Sequence, residues 1–296
     1  MSKAGSAPEF LAALDGSALK LRLPYEGGDV LWRSFGDGPP LVLLHGGHGS
    51  WMHWARNIAE LAGDHQVLVP DMPSFGESSD LPEPATLEHL VQALADSLEE
   101  VPGLDGPIDL VGFSFGGLVA AHLAATPGLV HRLALLGTAG HGTPRRQTLE
   151  MKNWRTASPG VEQTAAFANN LRALMLYNET SVDPLALLIQ ELSCKATRFH
   201  SRQFSRPASV AATLARYPGP LLLMWGDQDV TAFPETLAHS LAEPRANCEW
   251  CLIPRAGHWV QFEKPFETNH ILRGWFARDV IQDSAPAPLQ AQPQHL

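Results

Sequence analysis

The sequence is short of cysteine, of basic residues and of long apolar runs, and each shortage argues against a class of protein. Three cysteines in 296 residues cannot all pair, a count that fits a reducing compartment. The 21 lysines and arginines are outnumbered by 31 aspartates and glutamates, which gives a formal net charge of -10. That balance argues against a nucleic acid or an anionic membrane as partner. No run approaches the roughly 18 apolar residues that a membrane span needs.

The N-terminus lacks the pattern of a secretory signal. The segment MSKAGSAPEFLAALDGSALK contains one early lysine and no continuous apolar region, whereas a signal peptide combines a basic start with such a region. We therefore expect a cytoplasmic protein that acts on a small-molecule substrate. The oligomeric state, a homo-oligomer included, stays open.

Cys248 and Cys251 form a C-x-x-C within the strand-like segment CEWCLIP. A redox pair of this kind usually lies at a helix N-terminus, whereas residues three apart on a strand point to opposite faces. A zinc site would need further clustered ligands, and Cys194 lies in an unrelated segment. We therefore predict packed thiols and expect no metal.

Eight short apolar runs bounded by turn residues predict β-strands. They cover 19–26, 29–36, 41–46, 66–71, 108–113, 132–138, 221–226 and 249–254. The later runs are almost entirely apolar, as in central parallel strands covered on both faces. Helix-length segments such as 86–101 and 116–126 lie between them. This alternation predicts an α/β fold with a mostly parallel sheet.

Between His141 and Arg216 no strand is predicted and helical patterns dominate, with Asp183-Pro184 as an N-cap and first helical residue. We interpret residues 141–216 as a helical insertion into a core formed by residues 1–140 and 217–283. The segment from 284 to 296 is rich in proline, glutamine and alanine, and we expect it to be disordered.

Residues 112–116 read G-F-S-F-G, a G-x-S-x-G motif, directly after the apolar run IDLV and before a helical segment. In this context the serine lies on a sharp turn between strand and helix, and the flanking glycines avoid collisions with both elements. The turn also brings Ser114 to a helix N-terminus, which favours developing negative charge. Ser114 is therefore our candidate nucleophile.

A serine hydroxyl needs a neighbouring base, and histidine is suited to that role near neutral pH. His258 follows the run EWCLIP and so lies at the C-terminal end of a predicted strand, on the same sheet edge as Ser114. The acid that orients it should follow another strand there. Asp227 and Asp229 both follow LLLMWG, and spacing alone does not choose between them.

Taken together, these motifs resemble the α/β-hydrolase superfamily over roughly residues 28–280. The matching features, in the order found in that family, are HGG at 45–47, D-x-P-x-x-G-x-S at 71–78, G-x-S-x-G at 112–116, W-G-x-x-D at 225–229 and GHWVQFEKP at 257–265. The resemblance implies an eight-stranded, mostly parallel sheet with an inserted helical lid. It also implies that Asp229, the last residue of G-x-x-D, is the acid.

The resemblance further implies an oxyanion hole made by the backbone N–H groups of Gly47 and Phe115, two preorganised donors for a tetrahedral anion. His48, beside Gly47, and Trp259, beside His258, are candidate substrate contacts. The chemistry requires no metal and no organic cofactor.

A serine nucleophile argues against the dehalogenases and epoxide hydrolases of this fold, which use aspartate. Carboxylic-ester hydrolysis then competes with carbon–carbon bond hydrolysis of meta-ring-fission products. Enzymes of the second kind usually carry asparagine before the nucleophile, whereas this chain has Phe113 before it and Phe115 after it. We favour an esterase, and a ligand receptor of the same fold with little turnover remains a third alternative.

Arg198, Arg202 and Arg206 recur at four-residue intervals before Pro207, so we predict that one helix face carries all three. Either one of them grips a substrate carboxylate bidentately, or they form a solvated face. The sequence leaves both interpretations open.

Overall fold

A computed structural model describes residues 5–278, so the predicted disordered segment 284–296 lies outside the described residues. All eight predicted strands are confirmed. They are β1 (Leu19–Tyr25), β2 (Gly28–Phe35), β3 (Pro40–Leu44), β4 (Gln66–Pro70), β5 (Ile108–Phe113), β6 (Val130–Leu136), β7 (Leu221–Gly226) and β8 (Cys248–Ile253).

The strands form one sheet in the order β1-β2-β4-β3-β5-β6-β7-β8. Only β2 pairs antiparallel with its neighbours, β1 and β4, and every other pairing is parallel. The sheet is thus mostly parallel, as predicted. Every residue of β5 and β7 is buried, which explains why these segments are almost entirely apolar.

Eleven α-helices occur within residues 5–278. They are α1 (Ala7–Gly16), α2 (Ile58–Leu61), α3 (Leu87–Glu99), α4 (Phe115–Ala124), α5 (Val161–Asn170), α6 (Pro184–Lys195), α7 (Arg202–Ser205), α8 (Val210–Leu214), α9 (Pro234–Ala242), α10 (Val260–Glu263) and α11 (Pro265–Phe276). The predicted cap of α6 is present, because the Asp183 side chain accepts a hydrogen bond from the Ala186 N–H. In this part of the chain no helix is both long and apolar enough to cross a membrane.

Two hydrophobic clusters cover the two faces of the sheet, and neighbouring residues of one strand enter different clusters. The C-x-x-C on β8 follows this rule: Cys248 packs against one cluster and Cys251 against the other. Both are free thiols, and burial raises the pKa of each to about 12. These properties fit packed thiols rather than a reactive redox pair.

Helices α5 to α8 all lie between β6 and β7, inside the range 141–216. The predicted single helix face with three arginines is wrong, because α7 contains only four residues and begins at Arg202. Arg198 lies before it in a loop, where its N–H donates to the Ser74 carbonyl and its side chain pairs with Asp80. These contacts with the core hold the chain away from a helical path at this point.

Candidate active site

Ser114 occupies the turn between β5 and α4, at the carboxyl edge of the sheet. Its backbone is strained, with φ 54° and ψ -116°, a conformation that costs of order 1–3 kcal/mol and persists only where the surroundings enforce it. A Cβ at Gly112 would lie 2.4 Å from the Gly116 carbonyl oxygen, and one at Gly116 would lie 2.3 Å from that of His45. Both glycines of the motif are therefore required by close backbone packing.

His258 lies between Ser114 and Asp229, with one ring nitrogen bonded to each. Its Nε2 is 2.9 Å from Ser114 Oγ, and its Nδ1 is 2.8 Å from Asp229 Oδ2. His258 and Asp229 are buried, whereas Ser114 is partly exposed. The chain order is serine, acid, histidine, and the geometry allows a proton to pass from the hydroxyl to the imidazole.

Asp229 is fully buried and ionised in this setting. Burial opposes ionisation, but the Coulombic attraction and hydrogen bond of His258, with two donors from Thr231, outweigh it and lower the pKa of Asp229 below its usual value. The Thr231 N–H and hydroxyl each donate a hydrogen bond to Asp229 Oδ1, both at a distance of 2.7 Å. The side chain of Asp227 makes no hydrogen bond to His258 in the described structure, and its buried Oδ1 lacks a partner among the residues described.

The acid turn, residues 227–232 after β7, is held by Arg146. The Arg146 Nε donates to the carbonyl oxygens of Asp229 (3.2 Å) and Ala232 (3.0 Å), and Nη2 donates to those of Asp227 (2.9 Å) and Asp229 (2.7 Å). The Arg146 N–H also donates to the Val230 carbonyl at 2.8 Å. One residue of the 141–216 range thus fixes the backbone that carries Asp229.

The loop that carries His258 is held by Glu263 from the same motif. Its carboxylate accepts a hydrogen bond from the Gly257 N–H at 2.6 Å and from the Tyr177 and Asn178 N–H groups at 3.0 and 2.6 Å. These bonds tie the loop to the segment after α5 and fix the position of the imidazole.

The HGG loop after β3 brings Gly47 next to Phe115. A Cβ at Gly47 would lie 3.5 Å from Phe115 Cβ. Within residues 5–278, neither the Gly47 N–H nor the Phe115 N–H has an acceptor. Phe115 is the first residue of α4, so its N–H points away from the helix. Two free donors therefore stand close together beside Ser114.

His53 holds the HGG loop through a hydrogen bond to its backbone. Its Nδ1 accepts a hydrogen bond from the Gly46 N–H at 3.2 Å, which requires a neutral ring. Burial, with smaller contributions from His45, His258 and His48, keeps the pKa of His53 well below its usual value. His53 therefore holds Gly46 as an uncharged acceptor.

The two candidate substrate contacts, His48 and Trp259, differ in their exposure to solvent. His48, with φ 55°, lies beside Gly47 and keeps part of its surface open to solvent. Trp259 is fully buried: its Nε1 donates to the His53 carbonyl at 3.0 Å and its ring stacks on Phe262. Trp259 thus packs behind His258 and offers no exposed surface to a substrate.

Residues of the 141–216 range also contact the segments that surround Ser114. Phe199 packs against Phe115, with ring centroids 5.7 Å apart. Ser201 lies so close to Gly47 that a Cβ there would be 2.5 Å from its Oγ. The Trp259 N–H donates to the Met175 carbonyl at 2.8 Å. This range therefore contacts the HGG loop, the start of α4 and the loop of His258.

Sequence reasoning missed Arg146, Thr231, His53 and Glu263 as supports of the site. A hydroxyl two residues after an aspartate is a local turn signal that could have identified Thr231. Arg146 gave no such signal, because its partners lie more than 80 residues away in the sequence. Among residues 5–278 no group of three or more His, Cys, Asp or Glu side chains is arranged to hold a metal ion.

Residues 41–270 match the model of the alpha/beta hydrolase family. The 2-hydroxymuconate semialdehyde hydrolase of Pseudomonas sp. (strain CF600) is 31% identical over 250 residues, 77% of this chain and 83% of that protein. The pimeloyl-[acyl-carrier protein] methyl ester esterase of Vibrio parahaemolyticus is 32% identical over 141 residues, 47% of this chain and 49% of the esterase.

Among solved structures, a meta-cleavage product hydrolase from Pseudomonas fluorescens IP01 superimposes with a TM-score of 0.70 at 24% identity, covering 86% of this chain and 97% of that one. At this identity the similarity establishes the fold alone, while the family match and the relatives indicate the class of protein. The chain belongs to the alpha/beta hydrolase family and is a hydrolytic enzyme.

Proposed function

We propose that the enzyme hydrolyses small to medium carboxylic esters through an acyl-enzyme on Ser114. The observation that carries the proposal is the 2.9 Å contact between Ser114 Oγ and His258 Nε2, with Asp229 bonded to the opposite ring nitrogen. A serine hydroxyl attacks a carbonyl only when a base accepts its proton, and this arrangement supplies one.

The reaction proceeds in two stages. Ser114 Oγ attacks the ester carbonyl while His258 accepts the hydroxyl proton, and His258 then gives that proton to the departing alcohol. A water molecule, deprotonated by His258, attacks the acyl-enzyme next, and His258 returns that proton to Ser114 Oγ as the bond to the acyl group breaks and the carboxylic acid leaves. Asp229 accepts a hydrogen bond from Nδ1–H of His258, which leaves Nε2 free to accept the Ser114 proton. Its charge also stabilises the imidazolium.

Each stage passes through a tetrahedral oxyanion, for which we propose the N–H groups of Gly47 and Phe115 as donors. Their closeness and their lack of an acceptor in residues 5–278 support this assignment. Preorganised donors of this kind stabilise the oxyanion by about 3 kcal/mol each. His53 keeps the loop in place through Gly46.

We further propose that residues 141–216 act as a lid that limits the acyl group. The contacts of Phe199 with Phe115 and of Ser201 with Gly47 support a roof over the space above Ser114. Each methylene buried in a pocket contributes about 0.8 kcal/mol while space remains. Activity should therefore rise through short chains and fall for long ones.

A second candidate is hydrolysis of a carbon–carbon bond in a meta-ring-fission product. It is favoured by the relative that acts on 2-hydroxymuconate semialdehyde, which matches over 77% of this chain. The shorter match to a methyl ester esterase favours the first candidate, as do Phe113 and Phe115 around the nucleophile.

The test is kcat/KM for p-nitrophenyl esters from two to sixteen acyl carbons, together with a meta-ring-fission product, using wild type and Ser114→Ala. We expect a maximum at short to medium esters that vanishes in Ser114→Ala. Faster cleavage of the ring-fission product would favour the second candidate. Tight binding of ligands without turnover of any substrate would indicate a receptor. A maximum at long chains, with activation at an oil–water interface, would contradict the roofed pocket.

A further inference from the structure

Three arginines near the site have no acidic partner, and we call Arg145, Arg202 and Arg206 the arginine cluster. Within residues 5–278 none of the three takes part in an ion pair or a side-chain hydrogen bond, whereas Arg33 and Arg273 each bind two or more carboxylates. Arg202 and Arg206 are exposed, so both guanidinium groups can reach a ligand. The chain has a formal net charge of -10, yet no carboxylate of residues 5–278 pairs with this cluster.

Two of these arginines belong to the segment that contacts the HGG loop. Arg202 is the first residue of α7, and Arg206 directly follows that helix. The residue before Arg202 is Ser201, which lies against Gly47 of the HGG loop. Helix α7 therefore begins next to Gly47, one of the two proposed oxyanion donors.

The third arginine, Arg145, lies next to the residue that binds the acid turn. Arg145 precedes Arg146, which is bound to the acid turn around Asp229. The two segments meet nearby, because His141 forms a β-bridge with Ala208. In addition, the Gly140 N–H donates to the Ser205 carbonyl at 3.0 Å.

The charges of the cluster act on one another and on the site. Arg145 is half-buried, and its pKa is lowered first by burial and then by Arg206, with a smaller contribution from Arg202, while Asp229 raises it. Desolvation by the surrounding protein lowers the pKa of His48, and the charges of Arg155, His200 and, least of the three, Arg202 lower it further. The positive field thus extends from the HGG loop to the acid turn.

We propose that the arginine cluster binds an anionic group of the substrate, a carboxylate or a phosphate, so that the preferred ester carries negative charge away from the scissile bond. Guanidinium groups bind both anions through paired N–H donors. An anion here would relieve the repulsion among three like charges, and the field would speed the approach of anionic substrates. The inference rests on the proposed function and specifies its substrate class.

A matched pair of esters tests the cluster. The mono-p-nitrophenyl ester of succinate and p-nitrophenyl butyrate both have four acyl carbons and differ by one carboxylate. We expect a kcat/KM ratio of succinate to butyrate above about ten, which each of Arg145→Gln, Arg202→Gln and Arg206→Gln lowers about tenfold. Raising NaCl from 50 to 500 mM should also lower it. The p-nitrophenyl ester of 3-phosphonopropionate distinguishes phosphate-type from carboxylate substrates.

Arg216→Gln is the matched control, because Arg216 is an exposed arginine after α8 with no ion pair among residues 5–278 and its charge lies near His122, at the far end of α4. It should leave the ratio unchanged. A wild-type ratio near one for both anionic esters, or a ratio that no cluster variant changes, would overturn the inference while butyrate hydrolysis upholds the proposed function.

If neither ester is cleaved, the proposed function fails and binding tests the cluster by itself. Titration calorimetry of Ser114→Ala with succinate should then show binding that the added Arg145→Gln change weakens about tenfold. Absence of binding, or binding that this change does not affect, would overturn the cluster as an anion site.

Discussion

Replacing Arg146 with alanine should impair catalysis without any change to the residues that contact substrate. Two guanidinium nitrogens donate four hydrogen bonds of 2.7 to 3.2 Å to three carbonyl oxygens of the acid turn. A hydrogen bond from a charged donor contributes about 1.5–3 kcal/mol net. Counting one such bond for each nitrogen at the lower end of that range, because Arg146 is only partly buried, the loss should destabilise the fold by about 3 kcal/mol.

The effect on catalysis follows from the position of Asp229. Its carboxylate must stay within hydrogen-bond reach of His258, now 2.8 Å away, and a displacement of about 1 Å costs up to a hundredfold in rate. We expect Arg146→Ala to lower kcat between about tenfold and a hundredfold while KM changes little. Arg146→Lys should recover part of the loss, because one ammonium can still reach some of the carbonyls.

Steady-state kinetics and urea unfolding, measured on the same preparations, provide the assay. Arg172→Ala is the control, since Arg172 is exposed and, among residues 5–278, pairs only with Glu179. The distinguishing readout is a double mutant: with Asp229→Asn present, Arg146→Ala should lower kcat little further, because both act through one carboxylate. A folded Arg146→Ala enzyme with kcat within twofold of wild type would refute the reasoning.

Asp229→Asn should lower kcat about 10⁴-fold, because an amide facing Nδ1 favours the imidazole tautomer that cannot accept the Ser114 proton, whereas Asp227→Asn should cost less than about tenfold; the reverse ranking in steady-state assays would make Asp227 the acid. His53 has a folded pKa well below its unfolded value of 6.5, so the unfolded chain binds more protons as pH falls below 6.5 and the folded state loses stability. Between pH 7.5 and 5.5 wild type should lose about 1.4 kcal/mol more unfolding free energy than His53→Asn, measured by urea unfolding at both pH values, and an equal loss in the two proteins would contradict a neutral buried His53.

The sequence was sufficient to predict the strands and the nucleophile turn because their signals are local. Apolar runs bounded by turn residues predicted all eight strands to within about two residues at most ends. The G-x-S-x-G motif predicted the turn at Ser114 because the two glycines are required by contacts within one strand, turn and helix. Spacing did not decide between Asp227 and Asp229, since the difference lies in contacts with His258 and Thr231.

Predictions that depended on contacts between distant segments were less successful. The four-residue spacing of Arg198, Arg202 and Arg206 predicted one helix, but the contacts of Arg198 with Ser74 and Asp80 interrupt it. The three arginines therefore do not share one helix face. Of the three, Arg202 and Arg206 lie near the site, together with Arg145, whereas Arg198 does not.

The central claim is that Ser114 is the nucleophile, and the kcat of Ser114→Ala for a short-chain p-nitrophenyl ester tests it most directly. The Ser114 side chain is partly exposed and small, so the fold should tolerate the change, as circular dichroism and a thermal melt of the same sample would verify. The account predicts a loss of at least about a thousandfold relative to wild type. A pure, folded Ser114→Ala enzyme that retains near-wild-type kcat would contradict it.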